Sequence, residues 1–203
     1  MRPVSRLLKK LPEIIEVMQS QLSAPPQPLR LMFQDEARFG RIHVPRRCWA
    51  PRGIRPQVCS QIVREYTYVF AAVSPHDGTL DTLVLPEVNA TTMSLFLAEV
   101  ARRHPRDKIL MVLDGAGWHR ALDLVLPQNI HLSWLPPYSP QLNPTEHIWE
   151  EIREKWFPNL IFHSLTAVED RLVEALSALE ADPQRVAALA GFDWIINIPM
   201  NAT

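Results

Sequence analysis

A mixed α/β layer fold is predicted by three features of the 203-residue chain. Strand patterns precede helix patterns, one later strand is apolar without interruption, and amphipathic helix patterns close the chain. The order reads strands first, then helix, strand, helix, strand, helix, helix, which is not the regular alternation of a doubly wound sheet.

Residues 1–22 carry a basic, partly amphipathic helix pattern, expected to be interrupted at Pro12. "SAPPQPLR" (23–30) then reads as a linker. From Leu29, "LRLMFQDEARFG" alternates as a strand, with Leu31, Phe33 and Asp35 on one face and Met32, Gln34 and Glu36 on the other. "EYTYVFAAVSP" is rich in β-branched and aromatic residues and reads as a strand. "HDG" turns the chain into a further strand, "TLDTLVLPE". "NATTMSLFLAEVARRH" places Met93, Phe96, Leu97 and Val100 at helical spacing. The unbroken apolar run Ile109–Leu113 suits a strand covered on both faces at the centre of a sheet. A short helix and the strand "IHLSWLPP" follow. Beyond the proline-rich stretch "LPPYSPQLNPTEHIWEEI" (135–152) lie two helices, "SLTAVEDRLVEALSALEA" and "DPQRVAALAG". The second opens on an Asp cap with Pro and stops at Gly191.

An apolar share of 47% and a mean hydropathy near zero (−0.07) describe a soluble globular chain long enough to bury a core. No apolar run reaches membrane-span length and no signal-peptide pattern opens the chain, so the expected location is cytoplasmic, away from the membrane. Cys48 and Cys59 form no CxxC pair and have no His at metal-ligand spacing, which argues against a structural zinc site. Net charge is −1, but its distribution is uneven. No acid lies between Glu36 and Glu65, a stretch holding Arg38, Arg41, Arg46, Arg47, Arg52, Arg55 and Arg64. Arg presents a fork of donors matched to phosphate oxygens, so this stretch reads either as a solvated basic surface or as a phosphate-backbone contact. Trp49, Pro51 and Gly53 within it suggest an extended arm.

Three carboxylates stand at the edges of buried segments. Asp35 lies on the inner face of the first core strand, where an acid is costly unless paired, with Arg38 or Arg41, or bound to a cation. Asp114 ends the most buried strand and precedes Gly115, Ala116 and Gly117, small residues that admit either an Asx turn or the close approach of a ligand. Glu146 falls at the third helical position if Asn143 is the N-cap and Pro144 the first residue. There it either closes a capping box or offers an ionised carboxylate to a hard cation. Glu150, one turn on, shares that face. Two strand-borne aspartates and one helix-borne glutamate suit a pair of metal ions roughly 3.5–4 Å apart acting on a phosphodiester.

The motifs "QDEARFG", "VLDGAGWH" and "LPPYSPQLNPTEHIWEEI", in that order, resemble the catalytic core of DDE transposases, in the bacterial insertion-sequence group allied to mariner-type transposases. The resemblance covers about residues 29–160, and the third motif is the most specific. It implies a ribonuclease-H-like mixed sheet flanked by helices, shared with retroviral integrases. It also implies two Mg²⁺ ions, with Mn²⁺ as substitute, no nucleotide cofactor, strand cleavage at transposon ends and strand transfer into target DNA by the freed 3′-hydroxyl. Asp35, Asp114 and Glu146 would be the catalytic and metal-binding triad. His119 would sit beside the second Asp, in contact with DNA or as a hydrogen-bonded structural residue, and Arg38, Arg41, Arg46 and Arg47 would contact DNA. Tyr138, Ser139 and Asn143 would shape the loop, with Trp118 and Trp149 in the core. The active form would be a homodimer. The interval of 31 residues between Asp114 and Glu146 is a little shorter than usual for the group. Residues 1–28 read as the tail of a DNA-binding region plus linker, and 161–203 as a helical extension. A non-catalytic relative that binds DNA or full-length transposase is the alternative. A phosphatase built on "VLDG" would want a second Asp where Ala116 stands.

Overall fold

The computed structural model describes residues 3–20, 27–198 and 200. Five strands, β1 (Leu29–Ile42), β2 (Ile62–Ser74), β3 (Thr79–Leu85), β4 (Lys108–Leu113) and β5 (Ile130–Trp134), form one sheet in the order β3-β2-β1-β4-β5. β1, β2 and β3 are antiparallel neighbours, whereas β4 runs parallel to both β1 and β5. The β2–β3 connection is a tight turn at 75–78. Gly78 sits there at φ +70°, and a Cβ on it would lie 1.8 Å from the Pro183 carbonyl oxygen. A parallel partner requires a crossover, and α2 (Ala90–Arg103) supplies it between β3 and β4. Ile109–Leu113 of β4 are fully buried, as the unbroken apolar run predicts.

The alternation of β1 divides the core as expected. Leu31, Phe33, Ala37 and Phe39 pack on the face covered by α1 (Pro3–Ser20), α3 (Thr145–Lys155), α4 (Leu165–Glu180) and α5 (Pro183–Ala190), with the short α6 (Asp193–Ile196) beside them. Met32 packs on the opposite face with Phe70, Met93, Phe96 and Val100. The caps follow the sequence closely. Asn89 and Thr92 form a capping box on α2, Ser164 caps α4, and Asp182 caps α5 with Pro183 in the first turn.

One expectation fails. α1 is not interrupted at Pro12, because Leu7, Leu11, Ile15 and Met18 are all buried in the core and hold the helix across the missing hydrogen bond. β1 begins at Leu29 as expected, with Arg30 bonding Asp107 Oδ2 and Asp77, while residues 23–26 of the expected linker lie outside the described residues. The arm is present. β1 and β2 run outward to Ile42 and Ile62, and 43–61 continue without regular structure, closed at the base by His43 N–H donating to the Gln61 carbonyl (2.9 Å).

Candidate active site

Asp35, Asp114 and Glu146 line one cleft of about 480 Å³, together with Gly115, Ala116 and the proline-rich loop. Each arrives on a different element: Asp35 on β1, Asp114 one residue past β4, Glu146 in the first turn of α3. The carboxyl end of β4 and the part of β1 just past its parallel pairing with β4 thus meet a helix N-terminus, and the end of a parallel strand is a usual place for a ligand in an α/β sheet.

The start of α3 is fixed to β1 directly. Asn143 Nδ2 donates to the Gln34 carbonyl (3.0 Å), and Thr145 Oγ1 donates to the Phe33 carbonyl (3.0 Å). Both side chains are buried. Asn143 Oδ1 also accepts from Thr145 N–H (3.2 Å) in an Asx turn, but α3 begins at Thr145 with Pro144 in the cap position and no side-chain cap, so the expected Asn143 cap and third-position Glu146 shift by one residue. The reciprocal half of the capping box is not formed. The Asn143 amide donates instead to the Pro140 carbonyl (2.8 Å), which leaves the Glu146 carboxylate facing the cleft. Tyr138, at φ +55° and fully exposed, bends the loop over the cleft.

Asp35 has no salt bridge to Arg38 or Arg41. Its Oδ2 accepts from Trp149 Nε1–H (2.9 Å), and Trp149 is itself 1% exposed. Burial, only partly offset by that hydrogen bond and reinforced by the charge of Glu146, raises the Asp35 carboxyl to about 7. Asp114 makes the Asx turn that its glycine-flanked setting suggests, with Oδ1 accepting from Ala116 N–H (2.9 Å). Its Oδ1 also lies 2.9 Å from His119 Nδ1, and His119 Nε2 lies 2.9 Å from Glu36 Oε1. With a carboxylate at each ring nitrogen, only the doubly protonated imidazole donates to both. Burial works against that charge, but the hydrogen bonds to Asp114 and Glu36 outweigh it and raise His119 to about 9.

His119 is therefore not a DNA contact as it stands: it is 2% exposed and both nitrogens are engaged, so it positions Asp114. Trp118 is not a core residue either. It is half-exposed, with Nε1 3.4 Å from Glu36 Oε1. Arg41 pairs with Glu65 and donates to the Phe162 carbonyl, Arg46 approaches Glu154, Arg38 lies over the Tyr66 ring, and Arg47 is exposed. These arginines gather at the base of the arm, outside the acidic cleft. Glu150 is exposed and does not line the cleft. Glu36, as the anchor of His119, and Trp149, as the donor to Asp35, escape sequence reasoning. Their partners lie 83 and 114 residues away, and only the strand-face alternation that separates Glu36 from Asp35 hints at two roles.

A carboxylate cluster of this kind suits a hard divalent cation: it is oxygen-rich, and a bound cation would offset the burial and the neighbouring Glu146 charge that favour the protonated Asp35. Among the described residues, however, no three His, Cys, Asp or Glu side chains already stand at ligating spacing. The acids share a cleft without closing into a finished shell.

Residues 30–169 match the family described as DDE superfamily endonuclease, and the chain belongs to that family. An uncharacterized protein of Sinorhizobium fredii, y4pE/y4sA, is 35% identical over 130 residues, or 64% of this chain and 96% of that protein. Among solved structures, the Mos1 mariner paired-end complex with Mn is similar with a TM-score of 0.57 and 16% identity, covering 97% of this chain and 64% of that one. The pre-cleavage Mos1 transpososome gives 0.56 and 15%, covering 98% and 64%. The chain thus spans just under two thirds of the Mos1 chains it matches, and the likeness is one of fold: a ribonuclease-H-like mixed sheet flanked by helices, as the motif resemblance implies.

Proposed function

We propose that this chain is the catalytic core of a transposase, cutting and joining DNA strands at a site formed by Asp35, Asp114 and Glu146. The observation that carries this reading is the convergence of the three motif acids on one cleft in a chain of the DDE endonuclease family. Residues 29–160 are the core of this activity. α1 packs against this core and residues 161–203 extend it. The substrates are transposon ends and target DNA, and the working form is a homodimer on paired ends.

The chain's own groups have distinct tasks. Trp149 holds Asp35 Oδ2 at a set angle, and His119, itself clamped by Glu36, holds Asp114 Oδ1. Asn143 and Thr145 tie Glu146's helix to the strand that bears Asp35. Asp35, Asp114 and Glu146 would hold Mg²⁺ ions, or Mn²⁺ in their place. When bound, these supply the charge that favours ionisation of the attacking oxygen and stabilises the departing one. Gly115 and Ala116 add little bulk beside Asp114, so that a phosphodiester can approach it closely on that side of the cleft. No side chain serves as a covalent nucleophile.

The test is a Mg²⁺-dependent nicking assay on oligonucleotide duplexes. The chain as it stands is expected to nick, with Asp114→Asn lowering the rate at least about 100-fold. The unfinished ligand spacing favours a second reading, a regulator that binds DNA without cutting it. Binding without any metal-dependent nicking would establish that one instead.

A further inference from the structure

A second cavity, of about 140 Å³, lies between the base of the arm and α3. Its lining includes Arg38, Arg41, His43, Arg46 and Arg153, backed by an apolar wall of Phe39, Phe157 and Phe162. Only Arg41 and Arg46 have carboxylate partners among the described residues, Glu65 and a long 3.4 Å approach to Glu154. Arg38 and Arg153 rest on aromatic faces instead, Tyr66 and Phe39. Both ring nitrogens of His43 are shielded from solvent with no hydrogen-bond partner. Buried polar atoms are rarely left so, and Arg38 and Arg153, resting on rings with no carboxylate bonded to them among the described residues, border a small apolar-walled space suited to an anion. Burial, the largest influence, and the nearby Arg46 press the Arg153 guanidinium below its usual range, while Glu146 and Asp35 offset this.

The position of the cavity says what the anion is. Arg153 follows Glu146 by seven residues on α3, two turns along the same face and roughly 10 Å down the axis. That is within a few nucleotides' reach along a strand whose phosphates wind around its axis. We propose that this cavity is a phosphate subsite: Arg38, Arg153 and His43 take one backbone phosphate of a polynucleotide near the phosphodiester held at Asp35, Asp114 and Glu146, and so set the register of the strand in the acidic cleft. The proposal rests on the nuclease reading. It adds Arg153 and His43 to the basic surface and makes Arg38, rather than the paired Arg41, its principal donor on β1.

The experiment measures binding of a labelled oligonucleotide duplex to the full chain as a function of salt, for Arg153→Gln, for Arg38→Gln and for the pair. Arg38 is exposed, so its variant keeps the test alive if Arg153→Gln does not fold. Each single variant is expected to bind about 10-fold more weakly, with the slope of log K against log salt reduced by about 0.9. In a series of duplexes, each with one neutral methylphosphonate at a different position beside the nick, one should bind the unmodified chain as weakly as a variant does. Unchanged affinity and slope in both variants would overturn the subsite. So would variants that lose inorganic phosphate binding yet keep the oligonucleotide, which would assign the cavity to a small free anion. Mn²⁺ binding to the acidic cleft, followed in parallel, separates the two claims: its loss in Glu146→Gln but not in Arg38→Gln keeps the nuclease reading standing even if the subsite fails.

Discussion

Asp35 is the side chain on which most of the site's physics concentrates. Its carboxyl is raised to about 7 from an ordinary 3.8, so the folded chain holds the proton more tightly than the unfolded one. The sign follows: this stability is fully present below about pH 4 and is lost as pH rises through 7. Asp35→Asn is therefore expected to stabilise the metal-free chain at pH 8 by about 1–3 kcal/mol while abolishing Mn²⁺ binding, as thermal melts with and without metal will show. The same titration makes cation binding proton-coupled. Mn²⁺ affinity should climb about 10-fold per pH unit up to about 7 and then level, which calorimetry in two buffers of different ionisation heat will report. Trp149→Phe deletes the larger of two hydrogen bonds that favour the ionised form, the other coming from the Glu36 backbone, and should move that plateau to higher pH.

At the scale of elements, the junction of β1 with α3 matters more than the prolines that precede it. The parallel ladder between β1 and β4 ends at Phe33↔Val112, and there the Phe33 and Gln34 carbonyls receive Thr145 and Asn143. Asn143→Ala removes the Asx turn ahead of α3 and takes a side-chain donor from the Gln34 carbonyl. A stability loss of about 1–3 kcal/mol is expected, together with a larger fall in nicking than in DNA binding, because Glu146 is no longer held against Asp35. Thermal denaturation and kinetics on the same variant separate the two effects. This junction was only half legible in the sequence. The Asn-Pro-x-Glu pattern announces a helix start, and α3 does begin there, one residue later than the pattern implies and preceded by an Asx turn at Asn143. Nothing local tells that the Asn143 amide turns to Pro140 instead of Glu146, or that its side chain reaches a strand 109 residues earlier. Strands β1 to β5 were legible because burial on one or two faces imposes a periodicity of its own. The unbroken α1 was not, since local propensity at Pro12 is overridden by four distant core contacts.

The molecule as a whole brings charge of opposite sign to two adjoining places, an acidic cleft and an Arg-lined cavity, linked by the length of α3. A net charge of −1 conceals this arrangement; the run without acids from Ala37 to Arg64 reveals half of it. α1 belongs to the same body, because Leu7, Leu11, Ile15 and Met18 pack into the core beneath β1. A chain starting at residue 27 would expose that surface, and should melt at lower temperature and bind a hydrophobic dye that the full chain excludes. No helix among the described residues is long and apolar enough to cross a membrane.

Anomalous diffraction from Mn²⁺-soaked crystals of the full chain and of Glu146→Gln bears most directly on the site. Density between Asp35, Asp114 and Glu146, weakened or lost in the variant, is the expected result, with the three side chains drawn together from their present spacing. Carboxylates that stay apart, with no density in the cleft at saturating Mn²⁺, would contradict a catalytic role for the three acids and leave a DNA-binding chain that does not cut.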